Sequence, residues 1–147
     1  MTRPPLQGIH HLKFAVADLD RSCAFYETVF GARRIVAFDH KRPDGSLFAY
    51  ILEVPGLGTL LELRLDPGAA AKTAGFDPVT IAVADQAALE GWIAVLDAAG
   101  IPHSGVLVAI QAWLLVFDDP DGRRLRLYTL TAHGPEIPFE KDSPWIR

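Results

Sequence analysis

Apolar and polar residues alternate from Ile9 to Ala17, with Leu12, Phe14 and Val16 on one side and His11, Lys13 and Ala15 on the other. That is the period of a half-buried strand. Asp18 or Asp20 can then cap a helix whose Leu19, Cys23, Tyr26 and Phe30 recur at helical spacing, with Gly31 as a left-handed stop. Strands are predicted at Ala32–Asp39, Ser46–Val54 and Thr59–Leu65, with a turn at Pro43-Asp44-Gly45. A segment rich in Pro, Gly and Ala follows over 66–77. The pattern then starts again: a strand at Val79–Val83, and a helix capped by Asp85 with Leu89, Trp92, Ile93 and Leu96 on one stripe, ending at Gly100. Strands are predicted at Pro102–Val108, Ala112–Phe117 and Arg124–Leu130, the last after the turn Asp119-Pro120-Asp121-Gly122. Val16-Ala17-Asp18 recurs as Val83-Ala84-Asp85, so the chain reads as an internal duplication.

The expected fold is α+β: two tandem βαβββ modules, each a curved sheet with a helix on one face, forming a cavity on the bare faces. Module one spans about 8–65, a linker about 66–77, module two about 78–131 and a tail 132–147, all within one domain by length. The tail carries Phe139 and Trp145, which are expected to pack on the chain's own body or on a partner subunit, because clustered apolar surface marks contacts.

Half of the 147 residues are hydrophobic, enough for an ample core, and the net charge is −4. That charge disfavours a nucleic-acid partner, and the Arg123/Arg124/Arg126 cluster is too small and too mixed with carboxylates to reverse it. The one cysteine, Cys23, excludes an internal disulfide framework and falls on the buried helical stripe as a core residue. No apolar run approaches the roughly 20 residues of a membrane span, and the start of the chain lacks the apolar stretch of a signal peptide, so the expected compartment is the cytoplasm.

The succession of His11 with "LKFAVADLDRSCAFYETVFGA", "GTLLELRL" at Gly58–Leu65 and "VFDDPDGRRLRLYTL" at Val116–Leu130 resembles the vicinal oxygen chelate superfamily. That superfamily includes glyoxalase I, bleomycin-resistance proteins, fosfomycin-resistance enzymes and extradiol dioxygenases. The resemblance implies the glyoxalase-like fold, a two-fold homodimer, and in catalytic members one divalent metal (Zn, Ni, Mn, Co or Fe). Carried over by position, the metal ligands fall on His11, Glu62, Pro78 and Arg126. Proline offers no side-chain donor and arginine is a fixed cation. At about 4 Å and an effective dielectric near 20, that cation and a dication repel by roughly 8 kcal/mol. Only His11 and Glu62 remain as ligands, fewer than catalytic sites supply, and the expectation is no cofactor. Asp77 is a poor substitute, because strand parity points it to the opposite face.

Parity places His11 with Lys13, Glu62 with Leu60 and Arg64, and Arg126 with Arg124 and Tyr128 on faces that line the expected cavity. A Glu62–Arg126 charge pair is expected where the metal would lie, able to grip a carboxylate, phenolate or enolate. Trp113 and Tyr50, if turned inward, give flat walls for a ring-bearing ligand, and His103 is a candidate rim residue. His40 and His133 flank turns and are expected in solvent. The resemblance then implies a small-molecule-binding protein of the bleomycin-resistance kind, its ligand aromatic or anionic. The alternative is a lyase, isomerase or dioxygenase-type enzyme, metal-dependent with rearranged ligands or metal-free with His11 or Glu62 as general base, an imidazole titrating near neutral pH.

Overall fold

The computed structural model describes residues 1–135 and 137–146. The chain divides into two compact units, Met1–Lys72 and Thr73–Arg147. Each repeats the same plan of strand, helix and returning strands, in an α+β fold.

In unit one, β1 (His11–Val16) leads into α1 (Leu19–Phe30), then β2 (Arg33–Arg34), β3 (His40–Lys41), β4 (Leu47–Glu53), β5 (Leu60–Leu65) and α2 (Pro67–Lys72). Asp18 caps α1 by accepting from Arg21 N. Gly31 ends it at φ 65°, where a side chain would be strained. The sheet order is β1-β5-β4-β2, with β3 also on β4. β1 runs parallel to β5 in the register His11↔Leu60, Lys13↔Glu62. Phe14, Val16, Leu52, Leu61 and Leu63 are buried together with Leu19, Cys23, Tyr26 and Val29 of α1. Burial pushes the Cys23 thiol up to about 11, helped by Glu27, so it is a core group with almost no thiolate at neutral pH.

The predicted strand at 32–39 is not continuous. After β2 the chain makes a 3₁₀ turn at Val36–Phe38. Arg34 reaches around that turn to both oxygens of Asp39, at 3.0 and 2.5 Å, and its guanidinium lies 3.5 Å above the Tyr50 ring. The ion pair draws the two ends of the turn together and leaves two short strands in place of one.

In unit two, β6 (Thr80–Val83) leads into α3 (Gln86–Ala98), β7 (Leu107–Val108), β8 (Ala112–Asp118) and β9 (Arg124–Ala132), in the order β6-β9-β8-β7. Asp85 caps α3 through Ala88 N. Leu89 and Leu96 pack with Leu115, Phe117, Leu125 and Leu127, all at most 1 % exposed. Trp92, expected in the core, is only half-buried. The predicted strand 102–108 shrinks to β7 plus a single bridge, His103↔Phe117. Ser104 marks the break: its N–H still donates to Val116 O at 2.8 Å, but Val116 N donates to the Ser104 hydroxyl, and that hydroxyl donates to Gly105 O, so one ladder bond is replaced by a side-chain one. The tail behaves as expected in part: Trp145 and Ile146 pack on Leu107, Leu114 and Val116, whereas Phe139 stays half-exposed.

Candidate functional site

The alternation of β1 and β5 leaves one face of the first sheet free of α1, and that face gathers charge. Glu62 lies at its centre, its side chain 1 % exposed. Arg64 Nη2 donates to Glu62 Oε1 at 2.8 Å, and Lys13 Nζ lies 3.4 Å from Oε2. His11 Nε2 is 3.8 Å from Oε2 and His40 Nε2 is 3.4 Å from Oε1. Oε2 has no hydrogen-bond partner among the described residues, although Lys13 and His11 face it. Burial works to raise the Glu62 pKa, but the hydrogen bond and charge of Arg64, with Lys13, outweigh it and hold the carboxyl below its ordinary value.

A pocket of about 430 Å³ opens over this carboxylate. His10, His11 and His40 contribute imidazoles; Phe38, Ile51 and Leu60 contribute apolar walls. His10 and His11 approach through their Nδ1 atoms at 2.9 Å. His40, expected in solvent, therefore belongs to the site. The short β3 pairs His40 with Ala49, two residues from Ile51, which faces Glu62 across the ladder. No period in the sequence marks a two-residue strand, so parity had nothing to act on.

Tyr50 is corrected in the opposite sense. It pairs with Leu63 on the helix side of the sheet, and its hydroxyl donates to Asp20 at 2.7 Å. It supports α1 and does not wall the pocket.

In unit two, Arg126 and Tyr128 share a face of β9 with Leu114 and Val116 of β8, their ladder partners. Arg126 Nε lies 2.8 Å from Asp77 Oδ2, an ion pair without the alignment of a hydrogen bond. This overturns the parity argument for Asp77: β6 starts at Thr80, so alternation does not set the direction of Asp77. Glu62 and Arg126, expected to neutralise each other, each find opposite charge within their own unit. His103 is tied by Nε2 to Asp97 of α3 at 3.0 Å, which with the Ser104 carbonyl raises its pKa. It is a helix-side residue, not a pocket rim. Trp113 makes an edge contact with His133 and does not line the pocket over Glu62. His133, also expected in solvent, is half-buried with Nε2 on Ala109 O at 2.7 Å.

The description "Glyoxalase/Bleomycin resistance protein/Dioxygenase superfamily" fits a family model that matches residues 8–127, and the chain belongs to that family. The metallothiol transferase FosB of Shouchella clausii is 28 % identical over 143 residues, 95 % of this chain and 91 % of that protein. Another FosB, from Lysinibacillus sphaericus, is 43 % identical over 61 residues, but the match spans only 38 % of its length and 42 % of this chain. Among solved structures, TnmS3, an antibiotic binding protein from Streptomyces sp., superposes with a TM-score of 0.68 at 18 % identity, covering 88 % of this chain and 100 % of that one.

The residues present do not fit the family's divalent ion. Glu62 is occupied by Arg64 and Lys13, and the two remaining family positions hold a proline and a guanidinium paired with Asp77. Among the described residues, no three His, Cys, Asp or Glu side chains are grouped to hold a metal.

The lowered Glu62 pKa fixes a sign. Its ionised form contributes stability fully above the ordinary glutamate value of 4.5, and that contribution is lost as pH falls through the depressed folded-state pKa. Acid unfolding followed by circular dichroism should therefore be shallower below pH 4.5 for Glu62→Gln than for the natural chain. Superimposable acid limbs would contradict the assignment.

Proposed function

We propose that this protein binds a small organic molecule in the unit-one pocket and holds it through Glu62. The observation that carries this is the buried Oε2 that lacks a hydrogen bond at the pocket floor. Lys13 at 3.4 Å and His11 at 3.8 Å face this oxygen without closing a hydrogen bond on it, which leaves a place for a ligand O–H or N–H to donate. Lys13 and Arg64 give the surroundings a positive excess suited to an acidic ligand group, and Phe38, Ile51 and Leu60 suit an aromatic or aliphatic body. The antibiotic-binding neighbour supports the same class of role. The protein acts as a homodimer in the cytoplasm on this reading; among the described residues no helix is long and apolar enough to cross a membrane.

4-Hydroxybenzoate is a suitable probe, with one donor, one carboxylate and one ring. Isothermal titration should show saturable binding that Glu62→Gln weakens at least tenfold, with the probe recovered unchanged. Equal affinity in both proteins, or no binding at all, would rule the reading out.

A second reading rests on the carboxylate–imidazole pairs, His40 at 3.4 Å and His11 at 3.8 Å from Glu62. Such a pair can move a proton to or from a bound substrate. The likeness to FosB supports an enzyme in the same general way. Chemical alteration of a bound molecule, lost in His11→Gln, would favour this reading over simple binding.

A further inference from the structure

The unit-one pocket takes two of its rings, Phe38 and His40, from the 3₁₀ turn and the two-residue strand after it. Little burial holds that turn, because Val36 and Phe38 are both more than half exposed. Its internal bonds are Phe38 N to Ile35 O at 2.9 Å and Asp39 N to Val36 O at 3.1 Å, a short 3₁₀ pattern of poor hydrogen-bond geometry. Its start is anchored by Ile35 N on Ile51 O at 2.8 Å, and its end by Arg34.

Arg34 pairs with Leu52 on the helix side of the sheet and does not line the pocket. From there its guanidinium takes both oxygens of Asp39, whose side chain is 3 % exposed. The same guanidinium lies on the buried Tyr50 ring, and the Tyr50 hydroxyl donates to Asp20 in the first turn of α1. A bidentate pair stacked on a fixed ring holds one geometry. The end of the turn is thereby tied to α1 and β4.

That tie aims both rings. His40 Nδ1 lies 2.9 Å from Phe38 O; a carbonyl only accepts, so Nδ1 carries the proton and Nε2 turns to Glu62 Oε1 at 3.4 Å. Phe48 meets the His40 ring edge-on, at 5.5 Å between centroids and 72° between planes. With His10 and His11 the space over Glu62 is walled by four flat rings, and such walls gain more from an aromatic face or edge than from a puckered ring.

Taking ligand binding at Glu62 as proposed above, we infer that Arg34 is a positioning residue for the pocket: by clasping Asp39 it holds Phe38 and His40 where they select a flat aromatic ligand over a saturated one with the same end groups.

4-Hydroxybenzoate and trans-4-hydroxycyclohexanecarboxylate share both end groups and differ in the ring. Isothermal titration of the natural protein should favour the aromatic acid by about tenfold. Arg34→Gln and Asp39→Asn should each bring the ratio to within about twofold, the aromatic acid losing affinity and the saturated acid keeping it. A purely structural loss lowers the two affinities alike and leaves the ratio. Asp39→Asn is close to isosteric and keeps the test alive if Arg34→Gln fails to fold. Arg33→Gln, which breaks the exposed neighbouring pair with Glu53, should leave the ratio unchanged. On a Phe38→Ala/His40→Gln background, Arg34→Gln should alter either affinity by less than about twofold, because the rings through which it acts are gone. Without ligand, the Phe38 and Asp39 amides should exchange faster in Arg34→Gln while those of Leu61 and Leu63 keep their rates. Failure of the natural protein to bind either acid takes down ligand binding at Glu62 and this selection together. Both acids bound equally by the natural protein, a ratio unmoved by Arg34→Gln and Asp39→Asn, a full effect of Arg34→Gln on the ringless background, or unaltered amide exchange would overturn the role of Arg34 alone.

Discussion

Asp119→Ala is expected to destabilise the protein by about 3–5 kcal/mol, the range for removing one partner of a buried ion pair. In a domain of this size that lowers the Tm by roughly 6–20 °C. Asp119 sits in the turn between β8 and β9, only 5 % exposed. Its Oδ1 accepts from Asp121 N at 2.9 Å and Arg123 N at 3.0 Å, and its Oδ2 meets the Arg123 guanidinium at 2.5 Å. Arg123 is itself 3 % exposed. Truncation therefore removes a charge from beside a buried cation and, in Oδ1, the acceptor of two backbone N–H groups of the turn. The turn at Pro43-Asp44-Gly45 is the control. There Asp44 accepts from Ser46 N and the Ser46 hydroxyl in full contact with solvent, and Asp44→Ala should cost far less. Thermal unfolding of both variants decides the matter. A melting temperature for Asp119→Ala within a degree or two of the natural protein would show that the pair contributes nothing.

Phe117→Ala should cost a similar amount, about 3–5 kcal/mol, for a different reason. Phe117 is fully buried in β8, opposite Leu125 on β9, and bridges to His103 on its other side. Losing the ring leaves a void that neighbours such as Leu125 and Leu127, at most 1 % exposed, have little freedom to fill. Phe76, 58 % exposed, offers the comparison, and its truncation should be close to neutral. Urea unfolding gives both values, and a shift below about 1 kcal/mol for Phe117→Ala would mean that the site collapses around the deletion.

Much of this architecture is visible in the bare chain because the signals are local. Asp18, Gly31 and Asp85 announce helix ends by chemistry that needs no tertiary partner. The alternation of Leu61, Leu63 and Leu65 against Glu62 and Arg64 is enough by itself to place the carboxylate on the open face. What escaped lies where geometry is set at a distance. Arg34 closes on Asp39 and splits an expected strand, which brings His40 to Glu62. Tyr50 sits on a strand buried on both faces, so only its pairing with Leu63 and its bond to Asp20 reveal its side. Asp77 precedes β6, where alternation has no authority. The tail's grip on Val108, through Glu140, and on Arg124, through Trp145, uses single residues with no period at all.

The parallel pairing of first with last strand in each unit has a consequence for biosynthesis. Among the described residues, β1 finds its hydrogen-bonding neighbour only in β5, and β6 only in β9. As the polypeptide emerges from the ribosome, His11–Val16 must wait for Leu60–Leu65 before it can dock, a long-range closure of the kind that slows folding. His11 and Lys13 thus cannot meet Glu62 until β5 has been made, and a nascent chain halted short of β5 holds no trace of their pocket.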